Sequence, residues 1–126
     1  MGGRRIHHVA IEDDWGMSQL LGQYEVSTRG RSLDDEGYLR ACDAAGVQRV
    51  LDERYADLHL PVVVVVLDAD ALVASGVPVE ASDDRGGVRV LGAIESNDPA
   101  IVIDVLPAVR DGDRWLAPTQ LSGPEA

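Results

Sequence analysis

The sequence predicts a single α+β domain with several strands and two main helices. The length of 126 residues is enough for one hydrophobic core and too short for two. Phenylalanine is absent and the long apolar residues are mainly Val and Leu, and the β-branched valines favour strands. Strand patterns also outnumber helix patterns, in the order β-α-β-α-β followed mostly by strands.

The first strand and the first helix are read from their apolar spacing. Residues 6–11 alternate, so His8 shares a face with Ile6 while His7 lies on the other face. A helix follows from residue 13 or 14 to about residue 23, with Gly22 as its stop signal. Its predicted buried stripe consists of Met17, Leu20, Leu21 and Tyr24.

The middle of the chain predicts a polar loop, a strand, a helix and a buried strand. Residues 25–35 are polar and are expected to form a loop. A second strand covers 37–42, and Asp43 then caps an amphipathic helix. The unbroken apolar run at 62–67 is typical of a central strand covered on both faces.

The second half of the chain is predicted to be mainly strands. A short helical turn over 68–75 is followed by a brief strand at 77–80, which Pro78 restricts to an edge or to partial pairing. The loop at 82–87 precedes two strands, 88–94 and 100–106, and a tight turn at 111–113. The domain is expected to span residues 1–116, with 117–126 as a flexible C-terminal tail.

Charge and cysteine content narrow the class of partner and the compartment. The net charge of −11 argues against nucleic acid, because phosphate backbones require a basic face. All 11 basic residues are arginine, which fits the composition of a GC-rich bacterial genome. Cys42 is the one cysteine, so no intrachain disulfide can form and a reducing cytoplasm is expected. The longest apolar run, residues 60–67, is too short to cross a membrane.

Polar side chains inside predicted strands are the candidate site residues. His8, Arg40 and Arg89 each lie between apolar neighbours on separate strands. An arginine in a strand usually faces solvent or forms an ion pair. If the three strands instead converge, they make a cationic pocket that suits phosphate or carboxylate, with Tyr38 and Trp15 as walls.

Motifs for other chemistries are missing from the sequence. The adjacent His7 and His8 point to opposite sides of a strand and cannot hold one metal ion together. Gly86 and Gly87 lack the strand and helix that a nucleotide-binding glycine loop requires. Cys42 is interpreted as a buried structural residue, because a reactive thiol needs an accessible, electropositive setting.

The order of several short segments resembles the bacterial family called domain of unknown function 952. The resemblance covers most of residues 5–110 and includes the segment from Glu36 to Cys42. The other matching segments are 6–9, Trp15, 22–24, Ser32 with Leu33, 62–68 with Leu72, and 88–94.

This resemblance implies a fold similar to ADP-ribosyltransferases, with a mostly antiparallel split sheet or half-barrel that binds its ligand in a cleft between the sheet halves. It implies that NAD is a possible cofactor and that His8 takes the position that holds the nicotinamide nucleotide. Glu95 is the nearest candidate for the glutamate that supports transfer. The chain departs from the family at Arg40 and Arg89, where the family has histidines. Arginine stays protonated, so proton transfer there is disfavoured and anion binding is favoured.

Three functions follow as hypotheses. The first is a cytoplasmic protein, monomer or homodimer, that binds a small anionic ligand such as a nucleotide-like or carboxylated metabolite, without nucleic acid or membrane as a partner. The second is an enzyme for ADP-ribosyl-type transfer or for tailoring a metabolite. The third is a non-catalytic interaction domain that uses a sheet edge or an apolar patch.

Overall fold

The protein is a single α+β domain, and its computed structural model describes residues 4–28, 30–82 and 87–122. The strands of the main sheet are β1 (Arg5–Ile11), β4 (Leu39–Cys42), β5 (Val62–Asp68), β6 (Val79–Ala81), β7 (Gly87–Val90) and β8 (Val102–Pro107). Within the described residues their order is β6-β7-β4-β1-β5-β8, and every neighbouring pair is antiparallel.

Smaller elements cover the sheet. Two hairpins lie outside it, formed by β2 (Val26–Thr28) with β3 (Arg31–Ser32) and by β9 (Val109–Asp111) with β10 (Arg114–Leu116). The helices are α1 (Glu12–Leu21), α2 (Leu33–Glu36), α3 (Val47–Val50) and α4 (Ala69–Ala74). A 3₁₀ turn over Ala44–Gly46 leads into α3, which continues as a π-helical turn over Leu51–Tyr55.

The prediction for the valine-rich run is confirmed. Val62–Asp68 is an interior strand between β1 and β8, and residues 62–67 are all buried. The alternating side chains of β5 enter two different hydrophobic clusters, with Val63 and Val65 on one face and Val64 and Val66 on the other. Both faces of the strand are therefore covered, which explains why its sequence shows no polar alternation.

The two faces of β1 likewise belong to separate clusters. Ile6 and Ala10 lie in the cluster that includes Trp15 of α1, whereas Val9 lies in the cluster with Val47 of α3. His8 shares the face of Ile6, and His7 shares the face of Val9, as the alternation predicts. The α3 face is the one that carries the cavity described below.

The predicted buried stripe of the first helix is wrong. Met17, Leu20 and Leu21 are 57%, 81% and 76% exposed, while Trp15 and Ser18 are the buried residues of α1. The helix ends before Gly22, whose φ of 90° is a left-handed conformation typical of helix ends. Tyr24 is buried, but it lies beyond the helix and bridges to Ile94.

The region predicted as a loop at 25–35 is instead structured. It forms the β2–β3 hairpin and α2, where Ser32 and Asp35 make a reciprocal capping box. The hairpin is short and carries a register shift, and for this reason its sequence lacks a clear strand pattern.

The edge strand β6 occupies the sheet edge that Pro78 predicts. The loop predicted at 82–87 falls largely outside the described residues. Of the predicted tail, Ala117 and Leu121 pack on the cluster around Val47, and residues 123–126 lie outside the described part. None of the helices in the described ranges has the length and hydropathy that crossing a membrane requires.

Candidate functional site

A cavity of about 230 Å³ opens on the α3 face of the sheet. Its walls come from β1, β4 and β7 of the sheet, from β2 at one side, and from α3 with the π-helical turn above. Four arginines and one glutamate are among its lining residues: Arg40, Arg49, Arg54, Arg89 and Glu53. The lining is therefore cationic, although the chain as a whole carries a net charge of −11.

Arg40 and Arg89 lie directly opposite each other on the neighbouring strands β4 and β7. They are register partners in the antiparallel pair of β4 and β7, so their Cβ atoms lie on the same face. The guanidinium carbons lie 5.5 Å (Arg40) and 4.9 Å (Arg89) from the centre of the Tyr38 ring. Both distances are within the range of a cation–π interaction. The structure thus brings together three of the predicted site residues.

The two arginines differ in how their charge is compensated. Glu36 accepts a hydrogen bond of 2.9 Å from Nε of Arg40, and the same carboxylate oxygen lies 2.6 Å from its Nη2. Arg89 has no carboxylate partner among the described residues; its contact there is the Tyr38 ring. Two like charges placed opposite each other in a sheet repel. Glu36 offsets the charge of Arg40, and Glu80 lies opposite Arg89 on β6 without forming an ion pair with it.

A buried hydroxyl lies at the same cavity. Ser27 of β2 is fully buried and lines the cavity, and its Oγ has no hydrogen-bond partner within the part of the chain that the structure describes. Thr28 is also buried and lines it. An orphaned buried hydroxyl is unusual in a folded protein and calls for a physical reason. The sequence prediction missed both residues, because they fall in the segment assigned to a loop.

His8 does not join this cluster. It is 1% exposed on the opposite face of β1, where Nδ1 lies 2.6 Å from the carbonyl oxygen of Arg40 and Nε2 lies 2.9 Å from the hydroxyl of Tyr24. A carbonyl oxygen can only accept, so Nδ1–H donates to it and Nε2 accepts from Tyr24. Burial lowers the pKa of His8 to about 4, against the opposing effect of the Arg40 hydrogen bond. His8 is a neutral structural link between β1 and β4.

Trp15 is also away from the cavity. Its ring lies in the core 5.1 Å from the ring of Tyr24. It lines a separate, open groove together with Met17, Leu20 and Val105. Of the two predicted walls of the anion pocket, Tyr38 lines the cavity, whereas Trp15 lies on the opposite side of the sheet.

His7 and Cys42 take the place on the cavity wall that was expected for His8. They are register partners on β1 and β4, and Nδ1 of His7 lies 3.4 Å from the carbonyl oxygen of Cys42. Burial raises the pKa of Cys42 to about 12, with a further contribution from Asp43. The thiol is therefore protonated and a poor nucleophile, as the structural interpretation of this residue expects.

Arginine is the main source of charge in the cavity. Glu95, the glutamate suggested by resemblance, is exposed and is not among the cavity residues. In the described ranges no group of three histidine, cysteine or acidic side chains is placed to hold a metal ion. The arginines, which keep their charge at any physiological pH, are suited to hold an anion.

Comparison with known proteins supports the fold. No family model matches the chain, and no curated protein matches it. The chain is similar to the crystal structure of protein CC0527 from Caulobacter crescentus, with a TM-score of 0.73 and 16% sequence identity over 94% of this chain and 99% of that one. The structure of a double mutant of CC0527 gives the same TM-score at 15% identity. At this identity the likeness concerns the fold alone.

Proposed function

We propose that the protein binds a small anionic ligand in the arginine-lined cavity. The observation that carries the proposal is the register pairing of Arg40 with Arg89, two like charges on one face of the sheet, of which Arg40 is paired with Glu36 and Arg89 lies opposite Glu80 without an ion pair to it. A bound anion relieves this repulsion and forms charge-assisted hydrogen bonds with both guanidinium groups. The acidic surface elsewhere makes the cavity a local exception to the charge of the molecule.

The volume of the cavity limits the size of the ligand. Pockets that enclose drug-sized ligands measure roughly 300–1,000 Å³, and this cavity measures about 230 Å³. A metabolite of a few carbon atoms with one anionic group fits that space better than a dinucleotide does. Of the two ligands in the first hypothesis, the carboxylated metabolite is thus better supported than a nucleotide-like ligand such as NAD.

Membership of the domain of unknown function 952 family and the closer kinship to ADP-ribosyltransferases remain part of this proposal. They rest on the sequence segments described above. The enzymatic alternative of ADP-ribosyl transfer has weaker support, because His8 is buried on the far face of β1 and Glu95 is exposed outside the cavity. Incubation with labelled NAD tests it, and release of nicotinamide is the result that would favour transfer.

A titration followed by amide chemical shifts tests the anion proposal. We expect at least one of acetate, methyl sulfate and methyl phosphate to shift signals around Arg40 and Arg89, and neutral methanol to leave them unchanged. Arg89→Gln should weaken the best anion by about tenfold to a hundredfold, because a hydrogen bond to a charged group contributes about 1.5–3 kcal/mol.

Arg5→Gln is the matched control. Arg5 is an exposed arginine at the start of β1 that does not line the cavity, so this variant removes the same charge from the molecule. Its affinity should stay within twofold of wild type. Equal losses in the two variants would show that net charge, and not the cavity, attracts the anion. No response to any of the three anions would refute the proposal.

A second candidate function is an interaction surface on α1. Met17, Leu20 and Leu21 expose large apolar side chains beside the groove that Trp15 and Val105 line. Such a patch is typical of a docking face. Light scattering of wild type and Leu20→Gln tests whether this face joins two copies: a dimer that the substitution dissociates is the supporting result.

The neighbouring sheet edge is less suited to pairing than this helix face. The backbone N–H of Val105 in β8 already donates to the carboxylate of Asp104 at 2.8 Å, and Pro107 has no N–H to offer. Aspartate and proline on an outer strand are common means of preventing edge-to-edge association.

A further inference from the structure

We infer that the groove beside α1 docks a basic amphipathic helix of another protein, an inference that rests on the second candidate function and names the chemistry of its partner. The groove has a volume of about 640 Å³. Met17 and Leu20 line it from α1, and Val63, Val105 and Pro107 line it from the sheet. An open apolar space of this size suits several side chains of a protein segment better than one small metabolite.

The apolar side chains of α1 are the expected source of affinity. Leu20 and Met17 are exposed large residues on the groove, and the exposed Leu21 extends the same patch. Single exposed leucines are common on protein surfaces, whereas a contiguous apolar patch marks an interaction site. Removing Leu20 and Met17 from water against an apolar stripe of a partner stabilises the complex.

Gly16 is an independent sign that a partner approaches α1 closely. It lies in the interior of α1, one turn before Leu20, and it lines the groove. Its φ is not in the left-handed region, and a Cβ added to it would have no atom of the described residues within 4 Å. Neither backbone conformation nor internal packing therefore calls for glycine here, although glycine weakens a helix relative to alanine. A missing side chain at the contact allows two helix axes to lie closer together.

The acidic end of the groove favours a cationic partner. Glu12 and Asp13 line the groove, and no arginine of the described residues lines it. Arg110, which follows β8 in the chain, donates instead to the carbonyl oxygens of Ala56 and Leu58 on the α3 face. The amino end of α1 offsets only about half an elementary charge, so two carboxylates leave this end of the groove negative.

Charge also argues against a second copy of this chain as the occupant. Two parallel α1 helices would place Glu12 and Asp13 of one copy beside the same residues of the other. In an antiparallel pair, the acidic first turn of one helix would meet the negative carboxyl end of the other, which has no basic residue in its last turn. The net charge of −11 adds repulsion between copies. Lysine or arginine on a different protein reverses the sign of these interactions.

The sheet edge beside the groove favours a helix over an extended strand as the docked segment. An added strand needs free backbone groups on β8. The N–H of Val105 already donates to Asp104, and Pro107 has no N–H. A helix satisfies its own backbone hydrogen bonds and needs only an apolar stripe with i, i+3, i+4 and i+7 spacing.

The test is fluorescence anisotropy of the intact protein with labelled helical peptides of about four turns, long enough to lie along α1. The first peptide carries leucine at i, i+3, i+4 and i+7 spacing and lysine elsewhere. Glutamate replaces every lysine in the second peptide, and alanine replaces every leucine in the third. We expect the leucine–lysine peptide to bind at least tenfold more tightly than either of the others, because it alone combines the apolar stripe with positive charge.

Two pairs of variants locate the contacts of this peptide in the groove. Leu20→Gln should weaken its binding at least tenfold, whereas Leu60→Gln, at an exposed leucine that does not line the groove, should stay within twofold of wild type. Gly16→Gln should also weaken binding at least tenfold while the thermal midpoint of unfolding stays the same or rises. Ala74→Gln adds the same side chain at an exposed position of α4 and should leave binding within twofold.

A third pair separates the groove charges from the net charge of the molecule. Glu12→Gln combined with Asp13→Asn should weaken the leucine–lysine peptide at least threefold at about 0.15 M salt. Asp111→Asn combined with Asp113→Asn removes the same two charges at exposed positions that do not line the groove, and binding should stay within twofold. Equal losses in the two double variants would overturn the assignment of the charge contact to the groove.

The outcomes distinguish the inference from the function beneath it. If the leucine–glutamate peptide binds as tightly as the leucine–lysine peptide and Leu20→Gln weakens both, the interaction surface stands and the basic partner is wrong. A wild-type dimer that Leu20→Gln dissociates, or binding to phosphatidylcholine vesicles that Leu20→Gln abolishes, overturns the inference in favour of a second copy or a lipid surface. If wild type is monomeric and binds neither the peptides nor the vesicles, both the inference and the second candidate function are wrong.

Discussion

Protonation of His8 should make the stability of this protein strongly dependent on pH between 7 and 4. The ring is 1% exposed, and burial lowers its pKa in the folded protein to about 4 from 6.5. In the unfolded chain His8 takes up a proton near pH 6.5, so below that pH the unfolded state binds more protons than the folded state. The stabilising contribution is therefore complete above pH 6.5 and is lost as the pH falls towards 4.

The magnitude follows from the difference between the His8 pKa of 6.5 in the unfolded chain and its pKa of about 4 in the folded protein. One pKa unit corresponds to 1.36 kcal/mol, so the full loss in the free energy of unfolding is about 3 kcal/mol. About 2 kcal/mol of this is lost between pH 7 and pH 5. Most of the remainder is lost between pH 5 and 4, where carboxylates also titrate. The pH 7 to 5 interval is therefore the cleaner measurement.

Urea unfolding of wild type and His8→Gln at pH 7 and pH 5 measures this contribution. The wild type should lose about 2 kcal/mol more than the variant over the interval. His59→Gln is the matched control, because His59 is exposed and its replacement should keep the wild-type pH dependence. Should His8→Gln fail to fold, the ring proton resonances of wild-type His8 give its pKa directly. Equal slopes for wild type and His8→Gln, or a His8 midpoint near 6.5, would refute the reasoning.

Two further predictions concern the buried polar groups on either side of β1. Tyr24→Phe removes the hydroxyl that donates to Nε2 of His8 while keeping the ring that packs on Trp15. Urea unfolding should show that this variant is destabilised by about 1–3 kcal/mol. Tyr38 is half-buried, so Tyr38→Phe should destabilise the protein less. Cys42 should resist a thiol-specific reagent at pH 8 in native protein and react within minutes in urea, because burial raises its pKa to about 12. Rapid labelling of the native protein would contradict the structural role of this thiol.

Local patterns in the sequence predicted most of the sheet because each strand carries its own apolar signal. The run at 62–67, the edge strand after Pro78 and the opposite orientations of His7 and His8 all depend on neighbours in the chain. Such local rules hold because the side-chain period of a strand is set by backbone geometry alone.

The α1 stripe and the role of His8 could not be derived in the same way. Both faces of β1 are buried, so alternation separates His7 from His8 without saying which face holds a cavity. The exposed Leu20 shows the same limit, since an apolar helix face indicates burial only if another element covers it. These properties depend on which elements pack together, and that information is long-range.

The pairing of Arg40 with Arg89 illustrates how much of the site is long-range. Each arginine is conspicuous in its own strand, but their contact requires β7 to be the neighbour of β4 with one particular register. A shift of one residue would send Arg89 to the opposite face. The burial of Ser27 could be predicted even less, since the sequence of a short polar hairpin does not indicate that its serine is buried.

The position of the local conflicts is the strongest argument that the cavity is functional. A natural sequence is expected to satisfy its local rules nearly everywhere and to break them where function requires it. Two independent conflicts lie at one cavity and come from separate parts of the chain: the like-charged pair on β4 and β7, and the hydroxyl on β2 that has no partner among the described residues. A bound anion relieves the repulsion between the arginines, whereas the Ser27 Oγ is enclosed by the protein and is not exposed to the cavity. Within the described residues the Nε1 of Trp15 also has no partner, and it lies apart from the cavity.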